Sequence, residues 1–284
     1  MSNILTAQRL QQISQFHPNL KNFWYLIAAV TFSVCNAPQE IPLIYHYALM
    51  LKNNTEEANV ANLGQKTMNI FQTSSSNIRM NIDQMYVIEN NMDKRLTEKF
   101  REAILKTGPL AGLPKAINSL SALAEVTPSK LLPKPDHIDP LNDDICHDNT
   151  YEKSVMRLKS NDSTEESSIE LTKRGMEHWN KLYNKVSSRV ANNMNSMYPD
   201  LWHYTLKHVY GPLLSFGDIV SAQETSLIII AALIPQDVNP QLRGHLRGAL
   251  NVGCEPETVA ATRNLVIMIS QWCNVSWKLD VAKL

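Results

Sequence analysis

The sequence is poor in the residues that build metal sites, disulfide frameworks and tight turns between strands. It has four cysteines among 284 residues, and no two of them form a CxxC pair. It therefore lacks the ligand spacing of a zinc ribbon, the dithiol of a redox motif and the cysteine density of a secreted scaffold, and we interpret the cysteines as reduced thiols. Nine glycines, beside many Leu, Ala, Asn and Gln residues, favour helices over many short strands.

An excess of charge of either sign is also absent. The 27 Lys and Arg residues balance the 27 Asp and Glu residues, so no net field attracts a polyanion and we expect no nucleic-acid partner. The strongest apolar runs, residues 23–34 and 227–234, are shorter than the roughly 20 residues that span a bilayer, which predicts no membrane insertion. One cluster contains metal-ligand types, but its spacing fits no established site and a solvated acidic loop is the favoured interpretation. Its members are Asp143, Asp144, Cys146, His147 and Asp148.

Helical spacing of apolar residues divides the chain into two blocks. The first covers residues 1–126 and the second residues 170–278. Between them, residues 127–169 contain four prolines followed by a long polar run, which indicates a connector that is partly ordered at best. A strap packed along the surface is the alternative interpretation of this segment.

The two blocks repeat one pattern. In each, an apolar helix is followed by a proline-containing turn and then by a helix with one histidine, His46 in the first block and His245 in the second. An internal duplication is the economical explanation, although two amphipathic helices with one histidine each are not rare. In the second block, Ser221 and Glu224 have the form of a capping box, which predicts a buried helix that Pro235 ends.

One segment of the second block resembles the carboxymuconolactone decarboxylase family, which includes the AhpD-type alkylhydroperoxidases. It runs Gly-His-Leu-Arg-Gly-Ala-Leu-Asn-Val-Gly-Cys-Glu-Pro-Glu from 244 to 257, and His208 and Tyr210 precede it in the order of the family. The resemblance covers residues 175–272 well and 23–123 weakly, and the whole chain is similar to fungal two-unit peroxisomal members. It implies an all-α, AhpD-like bundle of two related units that forms a homo-oligomer and needs no organic cofactor.

Two departures from the family limit the activity that the resemblance implies. The hydroperoxidase branch requires a CxxC dithiol, in which one thiolate attacks and the second resolves, and this chain has none. We therefore expect no CxxC-type peroxidase activity. The decarboxylase branch commonly has a basic residue just before the long apolar helix, where this chain has Glu224 and Thr225, so one counter-ion for a substrate carboxylate is missing.

The resemblance places a candidate acid–base site around His245. Decarboxylation needs a group that binds a carboxylate, which an arginine does bidentately, and an acid that protonates the resulting enolate carbon, which suits a histidine. The candidate catalytic residues are His245, Arg247 and Glu224. The candidate substrate-binding residues are His208, Tyr210, Arg243 and Asn251. The alternative is a core histidine with solvated arginines, and for Glu224 the role of helix cap is the favoured one.

Other residues carry weaker signals. Cys254, at a predicted helix entry, has either a lowered pKa or the role of an ordinary small residue, and the second is favoured. Trp179, Tyr183 and Trp202 are interpreted as core aromatics. The site around His46 lacks the Leu-Arg partner and is interpreted as degenerate. Two functions stay open, namely a decarboxylase or lyase that acts on a small carboxylate or lactone, and a non-catalytic oligomeric scaffold.

The last three residues, Ala282, Lys283 and Leu284, match the small-basic-leucine pattern of the peroxisomal import tripeptide. They predict an import receptor as partner, a location in the peroxisomal matrix and an exposed tail over residues 279–284. Mitochondrial import is the alternative, because residues 1–39 contain no acid and could form a small amphipathic helix. With only two basic residues in that stretch, an ordinary first helix is favoured.

Overall fold

The computed structural model describes residues 4–53, 60–72, 78–86, 90–132 and 165–284, and every regular element within these ranges is helical. This confirms the predicted all-α fold. The α-helices are α1 (Ala7–Ser14), α2 (Trp24–Val34), α3 (Ile41–Asn53), α4 (Val60–Gln72), α5 (Ile78–Met85), α6 (Asn91–Ala111), α7 (Leu113–Val126), α8 (Glu165–Tyr183), α9 (Ser187–Met197), α10 (Pro199–Tyr204), α11 (Ala222–Leu233), α12 (Asn239–Asn251) and α13 (Pro256–Trp272). A π-helical segment, Thr205–Leu214, follows α10 directly.

Helices α2 and α11 form the centre of the molecule. Every residue of α2 is buried, and α11 is buried from Thr225 to Leu233, because both sequences are apolar around the whole helix. Helix α2 packs against α6, α11 and α13, so the two blocks share one hydrophobic core. Within the described ranges, no helix combines the length and apolar composition that a bilayer crossing requires.

The repeated pattern of the sequence has a structural counterpart. After α2, Asn36 adopts a left-handed conformation with φ of 56°, and a 3-10 turn, Pro38–Glu40, leads into α3. After α11, the 3-10 turn Ile234–Gln236 leads to Asp237 with φ of 58° and then into α12. Asn and Asp tolerate this conformation better than most residues. Each histidine-bearing helix is thus fixed by a tight turn to a buried helix.

The predicted start of the buried helix α11 is confirmed by its capping contacts. Ser221 Oγ accepts a hydrogen bond from the Glu224 amide at 3.1 Å, and the Glu224 carboxylate accepts one from the Ser221 amide at 2.8 Å, which is a complete capping box. Helix α8 begins at Glu165, earlier than the predicted start at residue 170. Residues 133–164 of the connector, with the acidic cluster around Cys146, lie outside the described residues.

A buried lysine joins the two blocks through polar contacts. Lys106, in α6, is fully buried, and its ammonium donates to the carbonyls of Leu213 and Phe216 at 2.8 and 2.9 Å. The carboxylate of Glu102 lies 3.6 Å away. A buried charge is tolerated only with such partners. Lys106 therefore fixes the end of the π-helical segment, which carries Tyr210.

Candidate functional site

Glycines bring three helical segments of the second block into backbone contact. A Cβ on Gly175 in α8 would lie 2.8 Å from the backbone of Gly211 in the π-helical segment. A Cβ on Gly248 in α12 would lie 2.6 Å from Leu182 Cδ1 in α8. A larger residue at 175 would displace the π-helical segment, and a larger residue at 248 would displace the side chain of Leu182. The close approach positions the side chains that form the candidate site.

Two histidines and two tyrosines meet where these segments cross, and we call His178, Tyr183, Tyr210 and His245 the histidine–tyrosine cluster. Nε2 of His245 lies 3.4 Å from the Tyr183 hydroxyl, which lies 3.4 Å from the Tyr210 hydroxyl. The ring centres of His178 and Tyr210 are 6.1 Å apart. Trp179 packs against both tyrosines, at 4.2 and 4.8 Å between ring centres. The polar groups of the cluster thus form a connected series that packs against the ring of Trp179.

Two ring nitrogens of the cluster make no hydrogen bond within the described part of the chain. Nδ1 of His245 and Nε2 of His178 are buried, and neither makes a hydrogen bond to any residue that the structure describes. His245 as a whole is only 8% exposed. Because an unpaired buried polar atom costs about 1–3 kcal/mol, such atoms are uncommon in native proteins and call for an explanation. Together with the tyrosine hydroxyls, the two ring nitrogens can form hydrogen bonds to a polar ligand or to water.

Burial makes the whole cluster neutral at pH 7. It lowers the pKa of His245 to about 4, and the charge of His178 acts in the same direction. Burial, followed by the charge of Lys106, lowers the pKa of His178 to about 4. Burial also raises the pKa of Tyr183 and raises that of Tyr210 well above its ordinary value. The imidazoles therefore offer acceptor nitrogens, and the phenols keep their donor protons.

The structure joins Tyr210 to His245 through Tyr183, but it does not place the two arginines beside them. Arg243 and Arg247 lie two residues before and after His245 on α12, which places each about 200° around the helix from it. Both are exposed, whereas His245 is buried. The expected carboxylate anchor therefore does not lie beside His245, because a spacing of two residues separates faces of a helix.

Three other predicted site residues have contacts outside the cluster. Asn251 donates from Nδ2 to the Leu182 carbonyl at 2.8 Å and so holds α12 against α8. His208 is exposed. Glu224 accepts a hydrogen bond from the ammonium of Lys99 at 2.5 Å, in addition to its capping role. The contacts of Glu224 are those of a structural residue that links the two blocks.

Two members of the cluster were not recognised as functional residues from the sequence. The sequence pattern predicts a core aromatic at Tyr183 and indicates no role for His178. The available signal was Gly175, three residues before His178, since a glycine inside a helix often marks close approach of another backbone. That signal indicates where two segments touch, and not which side chains meet there.

The matching histidine of the first block is fully engaged. Nδ1 of His46 lies 3.3 Å from the Tyr86 hydroxyl, and Nε2 lies 2.8 Å from the Val126 carbonyl. Burial lowers its pKa to about 4, as it does for His245. Because a carbonyl only accepts, Nε2 of His46 carries the proton and donates it to Val126. Both nitrogens of His46 thus serve the packing of the first block.

Cys254 is not an activated thiol. It is buried, and burial raises its pKa to about 11, opposite to the lowered pKa that its position before a helix suggested. The favoured interpretation as an ordinary small residue fits this environment. No group of three or more metal-ligand side chains occurs among the residues whose placement is described.

The C-terminal tail is partly docked on the body. Arg263 donates to the carbonyls of Val281 and Ala282, both at 2.7 Å, and the Ala282 amide donates to Asn239 Oδ1 at 2.8 Å. Val281 and Ala282 are buried, whereas Leu284 is 52% exposed. The predicted exposure over 279–284 therefore needs a correction at two residues, whose backbone polar groups are satisfied by side chains of the body.

Comparison with known proteins gives a consistent set of relatives. The model of the carboxymuconolactone decarboxylase family matches residues 204–284. Peroxisomal protein 2 of Saccharomyces cerevisiae is 56% identical over 284 residues, which is all of both chains. Peroxisomal protein 2 of Schizosaccharomyces pombe is 41% identical over 186 residues, which is 66% of this chain and 75% of that protein. No solved structure gives a significant match.

Proposed function

This chain belongs to the family of the two fungal proteins called peroxisomal protein 2, and we propose that it is a peroxisomal acid–base enzyme of the carboxymuconolactone decarboxylase type. Its substrate would be a small lactone or carboxylate, and its reaction that of a decarboxylase or lyase. The observation that carries this proposal is the histidine–tyrosine cluster, in which the buried Nδ1 of His245 makes no hydrogen bond to any described residue.

The chemistry of the cluster suits the loss of carbon dioxide next to a carbonyl group. An anionic substrate beside His245 raises the low pKa of its imidazole, so the ring takes up a proton when the substrate binds. When carbon dioxide leaves, the bonding electron pair moves into the neighbouring carbonyl and forms an enolate. The hydroxyl of Tyr183 or Tyr210 stabilises the enolate oxygen by a hydrogen bond, and His245 gives its proton to the carbon.

Turnover of a lactone tests the proposal. The probes are carboxymuconolactone and a small β-keto acid, and the measurement is release of carbon dioxide by the purified full chain. We expect His245→Gln and Tyr183→Phe to lower kcat by a factor of about 10²–10³. Arg247→Gln is the matched control, since Arg247 is exposed on the same helix, and we expect a change of less than about twofold. No turnover by the wild type, or equal losses in all three variants, would overturn the proposal.

The peroxisomal part of the proposal has its own support. The names of both relatives state that location for those proteins, and the tripeptide of Ala282, Lys283 and Leu284 predicts it for this chain. The test is a fluorescent protein fused to the amino terminus, with and without Leu284. We expect puncta that coincide with a peroxisomal marker and become diffuse when Leu284 is deleted. Unchanged puncta, or mitochondrial staining that depends on residues 1–20, would contradict it.

A non-catalytic scaffold is the second candidate function. Two observations favour it: both nitrogens of His46 are used within the protein, and the arginines expected beside His245 are exposed. If the protein is a scaffold, His245→Gln should change neither its cellular function nor its oligomeric assembly. An enzyme predicts loss of function with unchanged assembly. Complementation of a deletion strain distinguishes the two functions, and size-exclusion chromatography checks that assembly is unchanged.

A further inference from the structure

Two cysteines that lie far apart in the sequence come together in the fold. Cys35 immediately follows α2 and Cys273 immediately follows α13, and these helices pack against each other. Asn19 Nδ2, shortly before α2, donates to Thr258 Oγ1 in the first turn of α13 at 3.2 Å, so the two helices run in parallel and their carboxyl ends meet. The side chains of Cys35 and Cys273 interact there, and each shifts the pKa of the other. The pair therefore joins the first block to the second at the ends of two core helices.

The surroundings make the two thiols unequal. The hydrogen bond from Cys273 lowers the pKa of Cys35 more than partial burial raises it, and the charge of Lys115 acts in the lowering direction. Lys115 is held near Cys35, since its ammonium donates to the carbonyl of Val34 at 2.7 Å. The same hydrogen bond raises the pKa of Cys273, and burial adds to this. Cys35 is thus the group that becomes a thiolate, and Cys273 keeps its proton.

Accessibility separates this pair from the third described cysteine. Cys35 and Cys273 are both partly exposed, whereas Cys254 is buried and its sulfur contacts a backbone carbonyl of Gln223 at 3.7 Å. A reactive dithiol needs a thiolate that an oxidant can reach and a second thiol beside it. Among the described cysteines, only Cys35 and Cys273 meet both conditions.

We propose that Cys35 and Cys273 form a redox-reactive dithiol site that closes into a disulfide between the two blocks when a peroxide oxidises it. The Cys35 thiolate attacks one peroxide oxygen, the O–O bond breaks, and the departing oxygen takes a proton, which leaves a sulfenic acid on Cys35. The Cys273 sulfur then attacks the Cys35 sulfur, and water leaves with the Cys273 proton. Overall, two thiols lose two electrons and the peroxide gains them, yielding one disulfide, water and an alcohol or a second water.

The bond would have a structural effect because it links helices of the shared core. A disulfide that closes a long loop restricts the unfolded chain, so oxidation is expected to raise the melting temperature by on the order of 5–10 °C. Formation of one disulfide per molecule is enough for this rise in melting temperature. It is independent of the histidine–tyrosine cluster and of the decarboxylase proposal.

The test uses the full chain with Cys146→Ser and Cys254→Ser, which keeps only the proposed pair. After reduction and desalting, the protein is treated with one equivalent of hydrogen peroxide and analysed by thiol titration and peptide mapping. We expect loss of both thiols, an intramolecular Cys35–Cys273 peptide and full reversal by dithiothreitol. Cys273→Ser in this background should stop at a sulfenic acid on Cys35 that dimedone traps. Disulfides between molecules, or two thiols that survive treatment, would overturn the proposal.

The wild-type chain provides a second test that needs no cysteine replacement. We expect the first mass-detected product of peroxide treatment to be the Cys35–Cys273 disulfide, with Cys254 still alkylatable after unfolding. Lys115→Gln should slow alkylation of Cys35 by iodoacetamide severalfold, because it removes the positive charge beside the thiolate. An unchanged rate, or oxidation of Cys254 before the pair, would contradict the assignment.

Discussion

His46 and His245 lie at corresponding places in the two blocks, yet only His46 has both ring nitrogens in contacts with described residues, to Tyr86 and Val126. His245 contacts Tyr183 through Nε2, and its Nδ1 has no partner among the residues that the structure describes. Burial lowers the pKa of both histidines to about 4, but the hydrogen bonding of their ring nitrogens differs. His46 completes the packing of the first block, whereas Nδ1 of His245 makes no hydrogen bond within the described residues.

Buried neutral histidines make the protein sensitive to acid. Burial lowers the pKa of His46 to about 4 from 6.5, so the unfolded chain binds more protons than the folded one between these values. The stability contributed by a neutral buried His46 is complete above pH 6.5 and is lost as the pH falls towards 4. We expect His46→Gln to reduce the loss of unfolding free energy between pH 7 and 5 by about 1–2 kcal/mol, measured by urea unfolding. His208→Gln, an exposed position, is the control, and an equal pH slope in wild type and His46→Gln would contradict this prediction.

Close packing at Gly175 is required for the histidine–tyrosine cluster. In Gly175→Ala the new Cβ would lie 2.8 Å from the backbone of Gly211, which cannot rotate away as a side chain can. We expect a loss of about 1–3 kcal/mol in unfolding free energy and an altered near-ultraviolet circular dichroism signal from the displaced tyrosines. Gly217→Ala is the matched control, because a Cβ there meets no atom within 4 Å. If both variants were equally stable, the packing argument would be wrong.

The docked tail depends on one arginine. Arg263 donates to the carbonyls of Val281 and Ala282, while Asn239 accepts from the Ala282 amide. We expect Arg263→Ala to accelerate hydrogen exchange at the Ala282 amide by about tenfold or more, because the segment opens more often. Arg243→Ala, exposed on α12, should leave that rate unchanged. A protected amide in Arg263→Ala would show that Asn239 and the buried Val281 hold the tail without the arginine.

Local signals in the sequence predicted local structure well. The capping box at Ser221 and the break at Pro235 both occur where the sequence places them, because caps and prolines act within a few residues. Contacts between segments that are distant in the sequence are harder to predict. Tyr183 and His178 join His245 only because glycines let α8, α12 and the π-helical segment touch, and no spacing in one helix reveals a partner on another.

The difficulty of predicting contacts between segments also explains why the sequence predicts neither the exposed position of the arginines nor the pairing of the cysteines. Arg247 belongs to a segment that resembles the family, but a two-residue step in a helix turns its side chain away from the buried face of His245. The lack of a CxxC pair excludes a dithiol within one segment and does not address one formed between blocks. Cys35 and Cys273 meet because both end core helices that pack side by side.

Nuclear magnetic resonance of ¹⁵N-histidine-labelled protein tests the central claim most directly, since it observes the ring nitrogens themselves. Carboxymuconolactone is titrated into the labelled full chain, and resonances are assigned with His46→Gln, His178→Gln and His245→Gln. We predict saturable shifts of the His245 and His178 ring nitrogens, a move of His245 towards the protonated form, and no change at His46. Shifts of equal size at His46, or unchanged resonances at His245 in the presence of saturating lactone, would contradict the assignment of the histidine–tyrosine cluster as the ligand site.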